Sequence, residues 1–446
     1  ALNCPTGVRA LLRLFLSVAV AAGLTLPAQA RPILSDSQKS YAAVCLEDAE
    51  PAARLAASCE TAIADAGIGA SDLREIRVVL ALAYDNLGKA DQARRLLEDV
   101  LDEDPAHTAA LNGLGWVHWG TDDYDLAKAA FQRSLDTGAT AQGFAGLASS
   151  GRLEGTLAET DYLRLMDAAI AMSPGYTWAM RDKAWYFIDE GRPSEAEPVL
   201  RTALFEDEDD PWTLYAMGAA MSAQNKYAAA LKWLNQAVET GHAPTSAYLS
   251  RARVNYWVEN YRRALIDAER VAQDWPGSSD GPVWKARSLA ALGLRPAGIS
   301  VLQDFLEGGH NSFANYWLAD LLYNGDEVDE AITALTRNTN DDAADYYDHE
   351  MMAMMLLEQE QYTDARGHIS AALELEPDAS YPVYYASLIE VAEGDYDTAE
   401  TLFLDALADG LPRRHIRSFS GAMTDTGALD RAIAFRHKAN QVSADN

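Results

Sequence analysis

The chain has 446 residues and a formal net charge of −31, from 67 acidic and 36 basic side chains. Nucleic acids and anionic membranes are also negatively charged, so this balance argues against either of them as a partner. It favours solubility and is compatible with a cationic partner.

The first thirty residues have the pattern of a secretory signal peptide. Arg9 and Arg13 precede an apolar stretch over residues 14–26, and a small-residue cleavage pattern ends at Ala30. A membrane anchor is the alternative, but a spanning helix needs about 20 apolar residues. We therefore predict cleavage after Ala30, no transmembrane segment in the mature chain, and a periplasmic or otherwise exported protein.

Two cysteines, Cys45 and Cys59, would remain after cleavage. Disulfides persist in oxidising compartments, and a bridge across a loop of this length would stabilise the fold by about 3 kcal/mol. Two buried thiols are the alternative. We predict a Cys45–Cys59 disulfide within a degenerate N-terminal repeat or cap over residues 31–73.

A 34-residue period covers most of the remaining chain. Its repeats begin at residues 36, 74, 108, 143, 177, 211, 245, 279, 312, 346, 380 and 413. The eighth residue is small in all twelve repeats, and the twentieth is Ala in nine of them. A period of this length indicates a solenoid, in which each repeat buries its apolar face by stacking on its neighbours.

The residues at fixed places in each repeat also carry a family resemblance. In the repeat that begins at residue 211, Met217, Gly218, Tyr227, Ala230 and Leu234 stand at the signature spacings of the tetratricopeptide repeat family, which this chain resembles. The Tyr-x-x-Ala pattern that opens the second helix recurs in four other repeats. The repeat of that family is a helix–turn–helix.

The resemblance implies an all-α fold, a right-handed α-α superhelical solenoid of about eleven to twelve helix–turn–helix repeats. We expect the regular array over residues 74–412 and a degenerate C-terminal repeat or cap over residues 413–446. The exported proteins of the family in bacteria are the nearest type.

Catalytic motifs are absent from the sequence. The eight His residues are scattered over separate repeats, and the sequence contains neither a P-loop nor His-Glu-x-x-His nor Gly-x-Ser-x-Gly. We predict that the protein is not an enzyme and uses no cofactor or metal ion.

Aromatic and Arg side chains concentrate on one face of the first helices. Positions two, five, nine and twelve are spaced three and four apart, so they share a helix face. In the resembled family this face, together with position thirteen, lines the concave groove that binds partners. The residues that we predict to bind a partner are Trp116, Trp119, Trp178, Arg181, Trp185, Trp212, Tyr215, Arg253, Tyr256, Trp257, Arg287, Tyr316, Tyr323 and Tyr384.

Two binding functions fit this face, and one structural role competes with them. Aromatic and Arg residues dominate binding hot spots, and peptide binding is the commoner use in the family. We therefore favour an extended peptide or protein partner. The alternative is a glycan, in which case the protein would resemble the helical-repeat scaffolds of polysaccharide synthesis or export complexes. In the structural role, the rings pack on adjacent repeats and fill the inner wall.

Overall fold

The computed structural model describes residues 52–64, 68–340 and 344–442, apart from the side chains of residues 441 and 442. In these ranges the chain forms 23 helices and no strand, which confirms the predicted all-α solenoid of helical repeats. The helices are α1 (Ala52–Ile63), α2 (Ala70–Asn86), α3 (Ala90–Glu103), α4 (Thr108–Gly120), α5 (Tyr124–Thr137), α6 (Ala141–Glu154), α7 (Glu159–Met172), α8 (Thr177–Asp189), α9 (Pro193–Glu206), α10 (Pro211–Ala223), α11 (Tyr227–Glu239), α12 (Thr245–Trp257), α13 (Tyr261–Asp274), α14 (Asp280–Ala291), α15 (Arg295–Leu306), α16 (Ser312–Tyr323), α17 (Val328–Thr339), α18 (Tyr346–Glu358), α19 (Tyr362–Leu375), α20 (Ser380–Glu393), α21 (Tyr396–Ala408), α22 (His415–Asp425) and α23 (Leu429–Val442).

The chain divides into two compact units, the first ending at Val254 and the second beginning at Asn255. Within each unit, helices pack on their neighbours in sequence. The first helix of a repeat also contacts the first helix of the next repeat. In the first unit α8 contacts both α9 and α10, and in the second unit α18 contacts both α19 and α20.

The helix boundaries follow the 34-residue register. The tyrosine at position seventeen is the first residue of α5, α11, α13, α19 and α21. Between the two helices of a repeat the backbone reverses through a residue with positive φ, such as Asn225 at 58° or Gly394 at 86°. Asn and Gly tolerate this left-handed conformation, so they can end a first helix where a bulkier residue would be strained.

Small residues hold the paired helices close together. Every described residue at position eight is buried, from Ala81 to Ser420, and so is every Ala at position twenty. At Gly218 an added Cβ would lie 2.6 Å from Cγ of Leu234. Close approach of the helices is therefore the reason for small residues at position eight.

Two repeats begin earlier than the period predicts. Helix α6 starts two residues before residue 143, and α2 starts four residues before residue 74. At position twenty of the repeat that contains α6 stands Tyr162, which is fully buried. Its ring packs against that of Tyr186 of α8, with centroids 4.7 Å apart, and the guanidinium of Arg152 of α6 lies 5.8 Å from its ring centroid.

Several predictions for the N-terminal region lie outside the described residues. These include the signal peptide, its cleavage at Ala30, and Cys45 as the partner of Cys59 in a disulfide. Cys59 itself is buried in α1. Among the helices that the structure describes, none combines the length and apolar character needed to cross a membrane.

Candidate functional site

The residues predicted to bind a partner lie on what we call the first-helix face. It consists of the side chains at positions two, five, nine, twelve and thirteen of the first helices. The structure divides them into rings that are buried between repeats and rings that reach solvent.

Three tryptophans of the first unit are buried together. Trp116 and Trp119 of α4 are each 5% exposed, and Trp178 of α8 is 7% exposed. The ring centroids of Trp116 and Trp178 lie 4.6 Å apart in an edge-to-face arrangement, and Trp119 donates its Nε1 proton to Ser149 Oγ at 3.2 Å. Such contacts are typical of packed cores. For these three rings the burial agrees with the structural role.

A buried polar network continues from this tryptophan cluster. Asp182 Oδ2 accepts a hydrogen bond from the Tyr162 hydroxyl at 2.8 Å, and its Oδ1 lies 3.5 Å from Ser149 Oγ and 3.9 Å from Arg152 Nη2. Burial raises the pKa of Asp182, and the Arg152 charge and the two hydroxyl donors oppose that rise. The network connects α6, α7 and α8, so it stabilises the packing of these three helices.

Arg181, predicted to offer its guanidinium to a partner, is engaged within the chain. Its Nη1 lies 2.6 Å from Asp210 Oδ2, and Asp210 also accepts a hydrogen bond from the backbone N–H of Thr213 at the start of α10. The Arg181 side chain is 11% exposed. It thereby links α8 to the N-terminal end of α10.

Trp185 and Tyr215 form a pair between α8 and α10, with ring centroids 5.1 Å apart. Tyr215 is buried, and burial raises the pKa of its hydroxyl while hydrogen bonds with Ser246 and Ser250 lower it. Trp185 is only partly buried. On the same face of this unit, Trp212 and Arg253 are also partly exposed.

In the second unit four aromatic rings surround a guanidinium. Arg287 Cζ lies 3.7 Å from the ring centroid of Trp317, 4.2 Å from Trp284, 4.6 Å from Tyr256 and 5.7 Å from Trp257. These are cation–π distances. Arg287 is therefore buried against rings of its own chain, whereas Trp257 is 45% exposed.

Trp284 and Trp317 belong to this cluster, although sequence reasoning did not select them. Both stand at position six of their repeats. Position six lies four residues after position two and three before position nine, so it borders the selected face. The 34-residue register therefore contained the information needed to select both tryptophans, but position six was not included among the positions of the predicted binding face.

Beside Tyr256, the second unit contains three predicted tyrosines, which differ in exposure. Tyr316 and Tyr323 of α16 are partly exposed, and the Tyr323 hydroxyl donates to Glu358 Oε2 at 2.7 Å. Tyr384 of α20 is 6% exposed, with its ring centroid 4.9 Å from that of His415 and 5.7 Å from that of Phe403.

Carboxylates share the face with these tyrosines. Asp320 stands at position nine of its repeat, Glu350 at position five and Glu358 at position thirteen. These carboxylates are not among the residues predicted to bind a partner, because that prediction rests on aromatic and Arg side chains alone. Within the described ranges, no three His, Cys, Asp or Glu side chains are grouped so that they could hold a metal ion.

Comparisons with known families and curated proteins bear on the repeat. A family model described as tetratricopeptide repeat matches residues 78–142 and 351–414, and a second model with the same description matches residues 187–252. A search of curated proteins found no match.

Solved structures with a similar arrangement of helices include three whose sequences differ greatly from this one. A tetratricopeptide repeat protein from Parabacteroides merdae is 15% identical with a TM-score of 0.41, and the match covers 56% of this chain and 98% of that one. Pseudomonas aeruginosa PilF is 17% identical with a TM-score of 0.40, and the match covers 48% of this chain and 96% of that one. Yeast Tom70 is 13% identical with a TM-score of 0.48, and the match covers 88% of this chain and 93% of that one.

The family assignment follows from sequence and fold together. Family models match three separate parts of the chain, and most first helices of the structure begin at the residue that the 34-residue register sets. The chain is a tetratricopeptide repeat protein.

Proposed function

We propose that this protein is a non-enzymatic, exported scaffold that binds an extended peptide or protein segment along its first-helix face. A tetratricopeptide repeat scaffold is suited to binding proteins and peptides. Export and the use of this particular face are the parts that go beyond the family.

One observation carries the proposal: several aromatic rings on the face keep solvent exposure while their neighbours are buried. Trp185 and Trp212 are partly exposed in the first unit, as are Tyr316 and Tyr323 in the second, and Trp257 is 45% exposed. Exposed rings supported by packed rings are rigid and apolar. Residues of this kind dominate binding hot spots.

A substitution at Trp257 tests the proposal, with Phe205 as a matched control. Phe205 is 87% exposed but lies on α9, a second helix, so it is an exposed ring off the face. Binding would be measured on panels of unstructured peptides and of oligosaccharides. We expect peptides to bind, Trp257→Ala to weaken them by about thirtyfold, and Phe205→Ala to leave them unchanged.

The same measurements can contradict the proposal. If both substitutions weakened peptide binding equally, exposed rings would contribute to binding whether or not they lie on the first-helix face. Binding of oligosaccharides in place of peptides would favour the glycan-binding alternative, and binding of neither would remove both. Thermal unfolding of each variant checks that the loss is not a loss of fold.

A further inference from the structure

The C-terminal repeat differs in charge from the repeats before it. Residues 413–446 contain six Lys and Arg side chains and three Asp side chains. Residues 312–412 contain two basic and twenty-three acidic side chains. A strongly acidic stretch of the chain is therefore followed directly by a basic repeat.

Position twenty-four shows how this repeat departs from the others. In every other repeat it holds a buried apolar residue, from Cys59 to Phe403, but in the C-terminal repeat it holds Arg436, which is exposed. Position twenty-one is buried or partly buried in every other repeat, yet Ile433 is 51% exposed. Second helices pack on the first helix of the next repeat, as α17 does on α18, and this accounts for the burial elsewhere. The exposed side of α23 therefore corresponds to a surface that packs on a helix in the rest of the solenoid.

The exposed side of α23 carries both apolar and charged residues. Leu429, Ile433 and Arg436 are spaced four and three residues apart, so they share that side. Leu429 is 54% exposed. Arg436 donates from Nε and Nη2 to Ser420 Oγ of α22, at 3.1 and 2.8 Å, so its guanidinium lies against α22.

Two further arginines extend this surface to α22. Arg413 Nη2 lies 3.4 Å from the carbonyl oxygen of Asn440, near the end of α23. Arg417 is exposed and stands three residues before Ser420 on α22, so the two share a helix side. We call the surface formed by these residues the end face, and its members are Arg413, Arg417, Leu429, Ile433 and Arg436.

The three arginines of the end face have no carboxylate close to them within the described residues. Arg431 and Lys438 of the same repeat pair with carboxylates of α21. No carboxylate oxygen lies within 4.0 Å of a guanidinium nitrogen of Arg413, Arg417 or Arg436. A guanidinium can bind a carboxylate through two parallel hydrogen bonds. The end face therefore offers donors that suit acidic side chains.

Neither another repeat of the same kind nor solvent alone fits the end face. A further repeat of the usual sequence would bury Arg436 in an apolar contact, which is costly for an unpaired charge. A capping repeat needs only a polar outer face, yet Leu429 and Ile433 remain exposed. An apolar centre with arginines around it matches an amphipathic helix with acidic flanks.

We propose that the end face binds a helix of a partner protein whose apolar stripe is flanked by Asp or Glu side chains. The apolar stripe packs on Leu429 and Ile433, and the acidic side chains pair with the three arginines. A second copy of this chain suits the end face less well, because two copies with a net charge of −31 each repel one another. This inference is independent of the proposed function, which concerns the aromatic residues of the first-helix face.

A charge-matched pair of variants tests the end face. The probe is a dye-labelled synthetic peptide that forms an amphipathic helix, with a leucine stripe flanked by glutamates, and its binding is measured by fluorescence anisotropy. Arg436→Gln removes one guanidinium of the end face. Lys438→Gln makes the same change of charge on α23, and residues two apart lie on different helix sides. We expect Arg436→Gln to weaken binding about tenfold or more and Lys438→Gln to leave it almost unchanged.

A second pair of variants reports on the apolar contact. Ile433→Gln should weaken binding of the glutamate peptide. Ile266→Gln, at a residue of α13 that is 64% exposed, should not. Thermal unfolding of each variant shows whether it is folded, and exposed side chains at these places should leave the melting temperature almost unchanged.

Charge reversal gives a test that a loss of fold cannot imitate. With Arg417→Glu and Arg436→Glu combined, the glutamate peptide should bind more weakly than to the unaltered protein. A peptide with lysines in place of the glutamates should bind more tightly than it does to the unaltered protein. Such an exchange of preference requires a folded surface that contacts the charged flanks of the peptide.

Several outcomes would overturn the inference. These are equal losses in Arg436→Gln and Lys438→Gln, equally tight binding of a glutamate peptide whose helix is broken by proline, and no binding of the glutamate peptide at all. Self-association of the protein in sedimentation experiments, lost in Arg436→Gln, would assign the end face to a second copy instead. Trp257→Ala should bind the glutamate peptide as the unaltered protein does, so failure of the end face and failure of the proposed function can be told apart.

Discussion

At the scale of single residues, the absence of a side chain is as informative as its presence. Gly146 of α6 faces the ring of Phe131, and a Cβ added to Gly146 would lie 2.3 Å from Phe131 Cζ. Phe131 is fully buried, with its ring centroid 4.9 Å from that of Trp116. Glycine at this position lets the buried aromatic cluster exist.

Gly146→Ala should therefore destabilise the protein even though Ala is the better helix former. The ring cannot give way without moving its own neighbours, and overpacking of this kind costs about 1–3 kcal/mol. The control is Gly367→Ala, within α19, where an added Cβ would meet nothing within 4 Å. That change should stabilise by about 0.5–1 kcal/mol.

Chemical denaturation of the two variants measures both effects. Opposite signs are expected, since the helix propensity gain is common to both and the steric clash occurs in one. A stabilising Gly146→Ala would show that the ring of Phe131 is not confined as described.

At the scale of helices, an ion pair within the chain involves Arg181, one of the residues predicted to bind a partner. In the structure Arg181 joins α8 to Asp210 at the start of α10. Its position on the helix was predictable from spacing. Its partner was not, because Asp210 is twenty-nine residues away, directly before the first helix of the next repeat.

Asp210→Ala should cost more stability than Arg181→Met. Removing Asp210 leaves a buried guanidinium without its carboxylate and deprives α10 of its N-cap, and breaking a buried pair in this way costs about 3–5 kcal/mol. Removing the guanidinium leaves the cap intact. Equal losses, measured by urea denaturation, would contradict this account of the contact.

A hydrogen bond between two histidines joins α18 to α19. His349 Nδ1 lies 2.9 Å from His368 Nδ1, so one nitrogen must donate and the other accept. Burial lowers the pKa of both, the charge of His349 lowers that of His368 further, and Asp345 and Asp364 oppose these shifts. Protonation of both rings would turn both nitrogens into donors.

Acidification should therefore weaken the packing of α18 on α19. With the pKa lowered in the folded state, the unfolded chain binds more protons, so stability falls as pH drops below about 6.5 towards the folded pKa values. His368→Gln should flatten this dependence, measured as the free energy of unfolding against pH. A variant with the unaltered pH dependence would show that other groups cause it.

At the scale of the molecule, sequence predicts the fold more fully than the site. The register fixes helix starts because each repeat must present small residues at the same places to its neighbours. Exposure is set by what the neighbouring repeat presents. Trp116 and Trp257 both stand on the first-helix face, yet the first is 5% exposed and the second 45%.

The early start of α6 is accompanied by a change in its packing residues. Helix α6 carries Gly146 and Ser149 at positions four and seven, where the neighbouring first helices α4 and α8 carry larger residues. The Phe131 ring lies against Gly146, and Trp119 donates a hydrogen bond to Ser149. Such compensation joins residues of different repeats. A sequence period reveals only the residues that all repeats share. It therefore cannot show where small residues in one repeat are matched by large side chains from another.

Because each repeat is stabilised by its neighbours, a destabilising substitution should affect the nearest repeats first. Ala230 of α11 is fully buried at position twenty, opposite Gly218 of α10, whose added Cβ would lie 3.4 Å from the Ala230 carbonyl oxygen. Ala230→Leu should cost about 1–3 kcal/mol through overpacking. Ser222→Leu, at a partly exposed position of α10, should cost little.

The pattern of the loss matters as much as its size. In a solenoid, stability is a sum of repeat terms and neighbour terms, so a change in one repeat acts first on the repeats beside it. Hydrogen exchange in Ala230→Leu should rise in α10 and α11 while α2 and α3 of the same unit keep the protection of the unaltered protein. Uniform loss across the unit would mean that its repeats unfold as one block, and neighbour stacking would then be too strong for the unit to be treated as a chain of semi-independent repeats.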